Sequence, residues 1–262
     1  MPGKIGSKCR RLDGKVCVIA GAASVIGRAV ADRLIGEGAV VVGIDREDHT
    51  AGSLTMIADL SSENEVQDVF ARIHEQTGRI DFLYNNAGAV SSEDKSVVNT
   101  TSETLDRIFA SNFRTAWLCC KYCVPFMLSN DPPSGSIVNS SSFLANMGSA
   151  TGQMAYNAAK AAVSQFSRDL GTNLARHGIR VNALSLGPIE TPQLTEVFSR
   201  IGEQERKRRF THMPLGRFGT LEELAGTVAF LASEDSGFIT ASVFPIDGGI
   251  QHAFHRPRIA AP

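Results

Sequence analysis

Short apolar runs recur along the chain and alternate with stretches of helical spacing. Most runs are rich in β-branched residues and lack polar alternation, which is typical of strands buried on both faces. The predicted strands lie at 15–20, 39–44, 54–58, 80–84, 136–141, 179–185 and 241–246. The main predicted helices lie at 28–37, from 61 or 62 to about 77, 102–129, 155–177 and 221–231. This alternation predicts an α/β fold: one doubly wound parallel sheet (Rossmann fold, about seven strands) with helices on both faces.

Length and composition narrow the classes of protein that need to be considered. The 262 residues suit one large domain or two small ones, and the 43% hydrophobic content is enough for a substantial core. The net charge of -1 argues against binding to nucleic acid or to a membrane surface. No apolar run approaches the roughly 20 residues needed to cross a bilayer. We therefore expect a single domain over 1–262, with no nucleic-acid partner and no membrane partner.

The five cysteines do not suggest a disulfide framework or a metal site. Cys17 lies in an apolar strand, and Cys119, Cys120 and Cys123 cluster in a helical stretch, where packing is the simplest interpretation. A zinc site would need further ligands at suitable spacing, and none follows. The N-terminal extension 1–11 is basic and polar, unlike a secretory signal. We expect structural thiols, no metal and a reducing compartment, hence a cytoplasmic protein.

A glycine loop, Gly21 to Gly27, joins the first strand to the first helix. In a doubly wound sheet ligands bind at the C-terminal ends of the strands, and such a loop directs helix amides at a pyrophosphate. Asp45 ends the second strand, where a carboxylate can accept hydrogen bonds from ribose hydroxyls. The alternative is a tight turn with an unrelated acid. Because position, spacing and acid agree, we favour a dinucleotide site.

A hydroxyl, a phenol and an ammonium follow the fifth strand as Ser142, Tyr156 and Lys160. Tyr156 and Lys160 are four residues apart and share one face of the predicted helix. A free phenol has a pKa of roughly 10 and is a poor base at neutral pH. A neighbouring ammonium lowers such a pKa by roughly 1–3 units. We therefore expect Lys160 to lower the pKa of Tyr156 and make it a general acid/base, although the spacing alone also fits an ordinary helix surface.

Six motifs in order resemble the short-chain dehydrogenase/reductase family, and the similarity covers about 12–249. The first loop is similar to Thr-Gly-x-x-x-Gly-x-Gly, residues 85–88 match Asn-Asn-Ala-Gly, and Asn112 matches the family's catalytic asparagine. A segment resembling Ile-Val-Asn-x-Ser-Ser precedes a match to Tyr-x-x-x-Lys. The alignment selects Ser142 as the catalytic serine, with Ser141 as the fallback because three serines are consecutive.

The resemblance implies hydride exchange between a nicotinamide cofactor and a secondary alcohol or ketone. Tyr156 would be the general acid/base, and Ser142 would stabilise the charge on the substrate oxygen. Lys160 would also hold the nicotinamide ribose, and Asn112 would position a water molecule. The further cofactor contacts it implies are Gly21, Ser24, Val25, Ile26, Gly27, Asp45, Asp59, Leu60, Asn86, Ala87, Gly88, Ile189 and Thr191.

Cofactor, substrate and assembly follow from the same resemblance. The Asp45 carboxylate would repel a 2′-phosphate, so we expect NAD and alcohol oxidation, although Arg46 beside it could pair with a phosphate. The segment 193–217 would cover a small secondary alcohol or ketone. Its basic run 206–209 could meet an anionic substrate, but a solvated helix face is the simpler interpretation. We expect a homo-oligomer (tetramer or dimer) built on the two long helices, with a tail, 250–262, that is disordered or reaches a neighbouring subunit.

Four positions depart from the family pattern: Ala20, Val25, Leu186 and Ala241. Val25 stands where the middle loop glycine allows the backbone to approach the pyrophosphate. If that position needs a positive φ, we expect strain of roughly 1–3 kcal/mol. A shifted loop could instead turn Val25 into the core. Weakened cofactor binding would leave a second hypothesis open, a catalytically weak or inactive binding or regulatory protein on the same fold.

Overall fold

Seven parallel strands form one sheet in the order β3-β2-β1-β4-β5-β6-β7. The structure is a computed structural model that describes residues 10–148 and 152–253. The strands are β1 (Val16–Ala20), β2 (Val40–Asp45), β3 (Leu54–Ile57), β4 (Phe82–Asn85), β5 (Gly135–Ser142), β6 (Ile179–Leu186) and β7 (Val243–Ile246). The predicted doubly wound parallel sheet is confirmed. Most of the N-terminal extension and most of the tail, for which we made predictions, lie outside the described residues.

Helices cover both faces of the sheet. They are α1 (Val25–Gly36), α2 (Glu63–Thr77), α3 (Ser102–Phe109), α4 (Thr115–Leu128), α5 (Met154–Leu174), α6 (Pro192–Ser199), α7 (Glu203–Thr211) and α8 (Leu221–Ala232). Successive side chains of a strand point to opposite faces. Accordingly, Cys17 and Ile19 of β1 pack with α1 and α8, whereas Val16 and Val18 pack with α2, α4 and α5. Each strand face therefore has its own apolar core.

Three element boundaries differ from the predicted ones for local reasons. Helix α1 begins at Val25 because the Ser24 hydroxyl caps it, accepting the Gly27 amide at 3.0 Å. The predicted helix 102–129 is interrupted by a π-helical turn at Ala110–Arg114, which connects α3 to α4. Ala241, predicted in the last strand, has a left-handed φ of 55°, so β7 begins at Val243.

The order of strands reverses between β1 and β4, and this is where a doubly wound sheet opens a crevice. A buried polar chain fixes the elements around it. The Asn85 amide at the end of β4 donates to Asn139 Oδ1 of β5 at 2.8 Å, and Asn139 Nδ2 donates to Ser167 Oγ of α5 at 2.9 Å. Helix α5 is thereby held against the ends of two central strands, where the candidate site residues lie.

Candidate active site

Three predicted catalytic side chains come together where β5 ends and α5 begins. Ser142 is the last residue of β5, and Tyr156 and Lys160 lie one turn apart at the start of α5. The Ser142 and Tyr156 side chains share a hydrogen bond, and Ser142 Oγ also accepts the Leu144 amide at 3.2 Å. Lys160 Nζ lies 5.7 Å from the centroid of the Tyr156 ring. The hydroxyl, the phenol and the ammonium therefore form one cluster.

The neighbouring Ser141 points away from this cluster. Its hydroxyl donates to the Lys160 carbonyl at 2.8 Å and lies 2.7 Å from Ser164 Oγ, so it is fastened to the buried side of α5. Successive strand residues face opposite ways, which explains why Ser142 meets Tyr156 and Ser141 does not. The geometry favours Ser142 over the fallback.

Burial dominates the electrostatics of the cluster. It raises the pKa of Tyr156, and the hydrogen bond with Ser142 lowers that pKa in part. Burial also lowers the pKa of Lys160 from 10.5 to about 8. Lys160 Nζ donates to the Ser140 carbonyl at 3.0 Å and lies over the face of the phenol ring. The expected lowering of the Tyr156 pKa is therefore not found: burial is the largest influence and raises it.

Asn112 lies inside the π-helical turn, a feature that is frequent at functional sites. Its Nδ2 donates to the carbonyls of Ala89 at 2.8 Å and Ile108 at 3.0 Å, and its Oδ1 accepts the Ala89 amide at 3.2 Å. A Cβ added to Gly88 would lie 2.6 Å from Asn112 Oδ1 and 3.0 Å from Lys160 Nζ. The loop after β4 thus brings Asn112 beside the lysine of the cluster, and only glycine fits between them.

The glycine loop after β1 packs tightly against the loop after β4. Gly21 has a φ of 89°, and a Cβ there would lie 2.7 Å from the Ala87 amide nitrogen. A Cβ on Gly27 would lie 2.3 Å from the Gly21 carbonyl oxygen. Asn86 Nδ2 donates to the Gly21 carbonyl at 2.9 Å and to Ser24 Oγ at 2.8 Å. Both glycines are required by close backbone approach, and the predicted residues from the two loops form one surface.

Val25 is the first residue of α1, and 41% of it is exposed. Its φ is not positive: among the residues that the structure describes, Ala241 is the one non-glycine with a left-handed φ. The expected strain and the alternative of core packing are therefore both wrong. Val25 and Ile26 begin a helix whose first amides have no acceptor within the helix.

Two acidic residues lie beyond the loop, as predicted from their positions after strands. Asp45 ends β2; its Oδ2 accepts the Ala23 amide at 3.0 Å, and its Oδ1 accepts the Arg46 amide at 2.8 Å. Asp59 accepts the Ser61 amide and hydroxyl, and these bonds lower its pKa. The side chain of Leu60 is buried in the core, which leaves only its backbone for a ligand.

The segment after β6 forms two short helices beside the site. Ile189 is buried and forms a bridge with Gly219, and Thr191 caps α6 by accepting the Leu194 amide at 3.3 Å. Helices α6 and α7, with residues 216–220, line an open pocket of about 490 Å³. In the basic run, Lys207 and Arg209 pair with glutamates of the same helix, as expected for a solvated helix face.

Other kinds of site have no counterpart in residues 10–148 and 152–253. No group of three or more His, Cys, Asp and Glu side chains in these ranges could hold a metal ion. The same ranges contain no helix with both the length and the apolar character of a membrane span. Sequence reasoning missed the Ser140 carbonyl as the acceptor for Lys160, and no side-chain pattern could have indicated a backbone partner.

Comparison with known proteins identifies the family. A model of the family described as enoyl-(acyl carrier protein) reductase matches residues 21–251. A Bacillus subtilis protein named uncharacterized oxidoreductase YxbG is 37% identical over 256 residues, which cover 92% of each chain. The chain belongs to the short-chain dehydrogenase/reductase family. The predicted membership is confirmed.

Further relatives agree with this assignment. The 3-oxoacyl-[acyl-carrier-protein] reductase FabG of Thermotoga maritima is 36% identical over 252 residues, covering 92% of this chain and 99% of its own. The crystal structure of levodione reductase superposes with a TM-score of 0.85 at 30% identity, covering 93% of this chain and all of that one. Members of this family are oxidoreductases that act on CH–OH groups with a nicotinamide cofactor.

The residues of this short-chain dehydrogenase/reductase fit such a cofactor. A Cβ on Gly21 would collide with the backbone of Ala87, and a Cβ on Gly88 would collide with Asn112 Oδ1, so the absence of side chains lets the loops after β1 and β4 pack closely at the ends of the strands. The first amides of α1 are suited to a pyrophosphate, and the Asp45 carboxylate is suited to ribose hydroxyls. Val25 is the departure, because its side chain stands on the exposed helix start where the family has a glycine.

Proposed function

We propose that the protein is an NAD-dependent dehydrogenase that interconverts a secondary alcohol and a ketone, with Tyr156 as the general acid/base. The observation that carries this proposal is the cluster of Ser142, Tyr156 and Lys160, in which Lys160 Nζ lies 5.7 Å from the centroid of the Tyr156 ring. Asn112 stands next to that lysine across Gly88. Asn112, Ser142 and Lys160 are buried and Tyr156 is partly buried, which distinguishes this cluster from an ordinary solvated helix surface.

Each side chain has a role that its contacts support. In alcohol oxidation the ionised phenol of Tyr156 takes the hydroxyl proton, and in ketone reduction the phenol returns it. The Ser142 hydroxyl donates a hydrogen bond to the substrate oxygen, where negative charge develops. When bound, the nicotinamide would supply the hydride chemistry at the carbon that bears this oxygen. Lys160 would hold the nicotinamide ribose, and Asn112 would position a water molecule that relays the proton.

NAD is the proposed cofactor because of the carboxylate at the end of β2. Asp45 already accepts the amides of Ala23 and Arg46, so its oxygens are fixed beside the glycine loop. A 2′-phosphate at this place would meet negative charge, whereas two ribose hydroxyls would meet an acceptor. The measurement is kcat/KM with each cofactor. We expect a higher value with NAD than with NADP, and equal values would refute the choice.

The substrate class is a small molecule with a secondary alcohol or a ketone. Two relatives, levodione reductase and 3-oxoacyl-[acyl-carrier-protein] reductase, are named for the reduction of different oxo compounds. Because these two substrates differ, the relatives support a shared reacting group, the ketone or secondary alcohol, and do not identify one compound. We propose that the segment 193–217, which forms α6 and α7, covers the substrate and sets the choice among such compounds.

Tyr156→Phe tests the catalytic assignment. The change removes the titrating oxygen and little volume, so we expect turnover to fall at least about 100-fold, as is typical for loss of a general acid/base. NADH binding, followed by fluorescence, stays near the wild-type value. Rates are measured with a panel of secondary alcohols and the matching ketones at the absorbance band of NADH.

Tyr122→Phe is the matched control. The Tyr122 hydroxyl bonds Glu63 at 3.0 Å on the surface between α4 and α2, away from the proposed site. This variant should retain wild-type turnover. A Tyr156→Phe protein that keeps more than about a hundredth of the wild-type rate would contradict the proposal.

The alternative of an inactive binding or regulatory protein has no support in the structure. The relatives are named as oxidoreductases and reductases, and Val25 adds no backbone strain to the cofactor loop.

We also propose that the protein is a homo-oligomer. An aromatic cluster of Phe113, Trp117 and Phe166 lies on the outer side of α4 and α5, and Trp117 is exposed. A second copy would cover this apolar face. Light scattering should give a multiple of the 28.1 kDa monomer mass, and a monomer at micromolar concentration would refute the assembly.

A further inference from the structure

Helix α5, which carries Tyr156 and Lys160, is capped from a distant part of the chain. Asp94 belongs to the polar segment between β4 and α3 and is only 3% exposed. Its Oδ1 accepts the Ala155 amide at 3.1 Å, and its Oδ2 accepts the Tyr156 amide at 2.8 Å. The residue at the local capping position, Gln153, makes no side-chain capping bond. One carboxylate therefore satisfies two of the otherwise unpaired amides at the helix start.

The segment that carries Asp94 is held by further hydrogen bonds. The Asp94 backbone amide donates to the Ser91 carbonyl at 3.2 Å. Adjacent Glu93 accepts hydrogen bonds from Thr104 and Arg107 of α3. The same segment thus contacts α3, which leads to Asn112, and α5, which begins beside Tyr156.

We propose that Asp94 is a positioning residue for Tyr156: its carboxylate fixes the first turn of α5 and so places the phenol against Ser142. The proposal rests on the function proposed above. The bond to the Tyr156 amide acts on the backbone of the residue that must reach the substrate oxygen. A displacement of about 1 Å in a reacting group can cost about 100-fold in rate, so a small shift of this turn has a large effect on turnover.

Asp94→Ala and Asp94→Asn test the proposal through kcat, KM and NADH affinity. Alanine leaves both amides without an acceptor, and we expect kcat to fall at least about tenfold while KM and the NADH dissociation constant stay within about twofold. Asparagine keeps one acceptor oxygen, so its kcat should lie between that of alanine and that of the wild type. This graded rescue would not follow from a general loss of folded protein.

Asp81→Asn is the matched control, because Asp81 is also a buried carboxylate that accepts a backbone amide, from Val16 at 2.9 Å. It precedes β4, at the opposite end of the strand from the site. Its kcat should remain within about twofold of the wild-type value even if its unfolding temperature falls. A wild-type kcat in both Asp94 variants, or an equal loss of kcat in the control, would overturn the proposal.

A spectroscopic measurement separates this proposal from the proposed function. The chain has only three tyrosines, so the ring signals of tyrosine-labelled protein can be assigned by their loss in Tyr156→Phe. The Tyr156 ring signals should move in Asp94→Asn and stay in place in Asp81→Asn. If the wild type shows no hydride transfer, the function fails and this test still decides the positioning role. Unchanged Tyr156 signals in Asp94→Asn would refute that role.

Discussion

Replacement of Lys160 by methionine should make the protein more stable while it abolishes the proposed activity. The lysine is 4% exposed, and its Nζ has the Ser140 carbonyl as a hydrogen-bond acceptor at 3.0 Å. Burial disfavours the ammonium and lowers the pKa of Lys160 from 10.5 to about 8. Methionine has a similar length, carries no charge and adapts to an irregular core.

The expected gain follows from this pKa shift. Below pH 8 the folded protein carries the full cost of burying the charge, about 3 kcal/mol for a pKa that falls from 10.5 to about 8. The hydrogen bond from the amine to the Ser140 carbonyl is lost in Lys160→Met, which costs about 1 kcal/mol. The net stabilisation at pH 7 is therefore about 2 kcal/mol. For a chain of this size we expect a Tm increase of about 4 °C.

The pH dependence gives the sharper test. Because the folded pKa lies below the unfolded one, the unfolded chain binds more protons between pH 8 and 10.5. Wild-type stability therefore improves relative to Lys160→Met as pH rises through this window. The methionine variant should be the more stable protein at pH 7 and should lose that advantage above about pH 10.

Thermal unfolding by circular dichroism without cofactor, at several values between pH 7 and pH 10, measures this difference. Lys121→Met is the control: that lysine is exposed and pairs with Glu63, which raises its pKa, so its loss should not stabilise the protein. A Lys160→Met protein that melts at or below the wild-type temperature at pH 7 would refute the reasoning. A difference in Tm that stays constant with pH would do the same.

The remaining predictions concern the cofactor loop. Asp45→Ser should narrow or reverse the ratio of kcat/KM for NAD over NADP because it removes the negative charge beside the loop, whereas Asp48→Ser, at an exposed neighbouring acid, should leave the ratio unchanged. An unchanged ratio in Asp45→Ser would count against NAD recognition by this carboxylate. Val25→Gly should lower the NAD dissociation constant severalfold with a smaller effect on kcat, since the valine side chain occupies the exposed start of α1. Calorimetry decides this, and unchanged or weaker binding means that Val25 does not obstruct the phosphate.

Local patterns in the sequence were enough to predict the sheet. The β-branched run from Val16 to Ala20 indicated a strand buried on both faces, and the structure packs its two sides into separate cores. The spacing of Tyr156 and Lys160 likewise placed both on one side of a helix. These features depend on residues close together in the sequence, so the local spacing of apolar and polar residues is enough to predict them.

Features that depend on distant contacts could not be predicted in this way. The π-helical turn around Asn112 adds one residue to a turn, and the apolar spacing of 102–129 gives no sign of it. Asp94 caps a helix that begins 60 residues later, so no local capping pattern exists. The pKa of Tyr156 was mispredicted for a related reason. The spacing to Lys160 was visible, but the depth of burial and the direction of Nζ toward Ser140 were not.

The protonation states of the pair bear on the direction of the reaction. Burial raises the pKa of Tyr156 above its ordinary value, so at neutral pH Tyr156 is a neutral phenol, which is a proton donor. That state suits ketone reduction, whereas alcohol oxidation needs the phenolate and is favoured as pH rises. Lys160, with a pKa of about 8, loses its charge as pH rises above 8 and then stabilises the phenolate less. The preference for NAD expected from Asp45 points to oxidation, while the acid/base pair at neutral pH points to reduction. Cofactor choice therefore depends on the end of β2, whereas the protonation state of the acid/base pair depends on the start of α5.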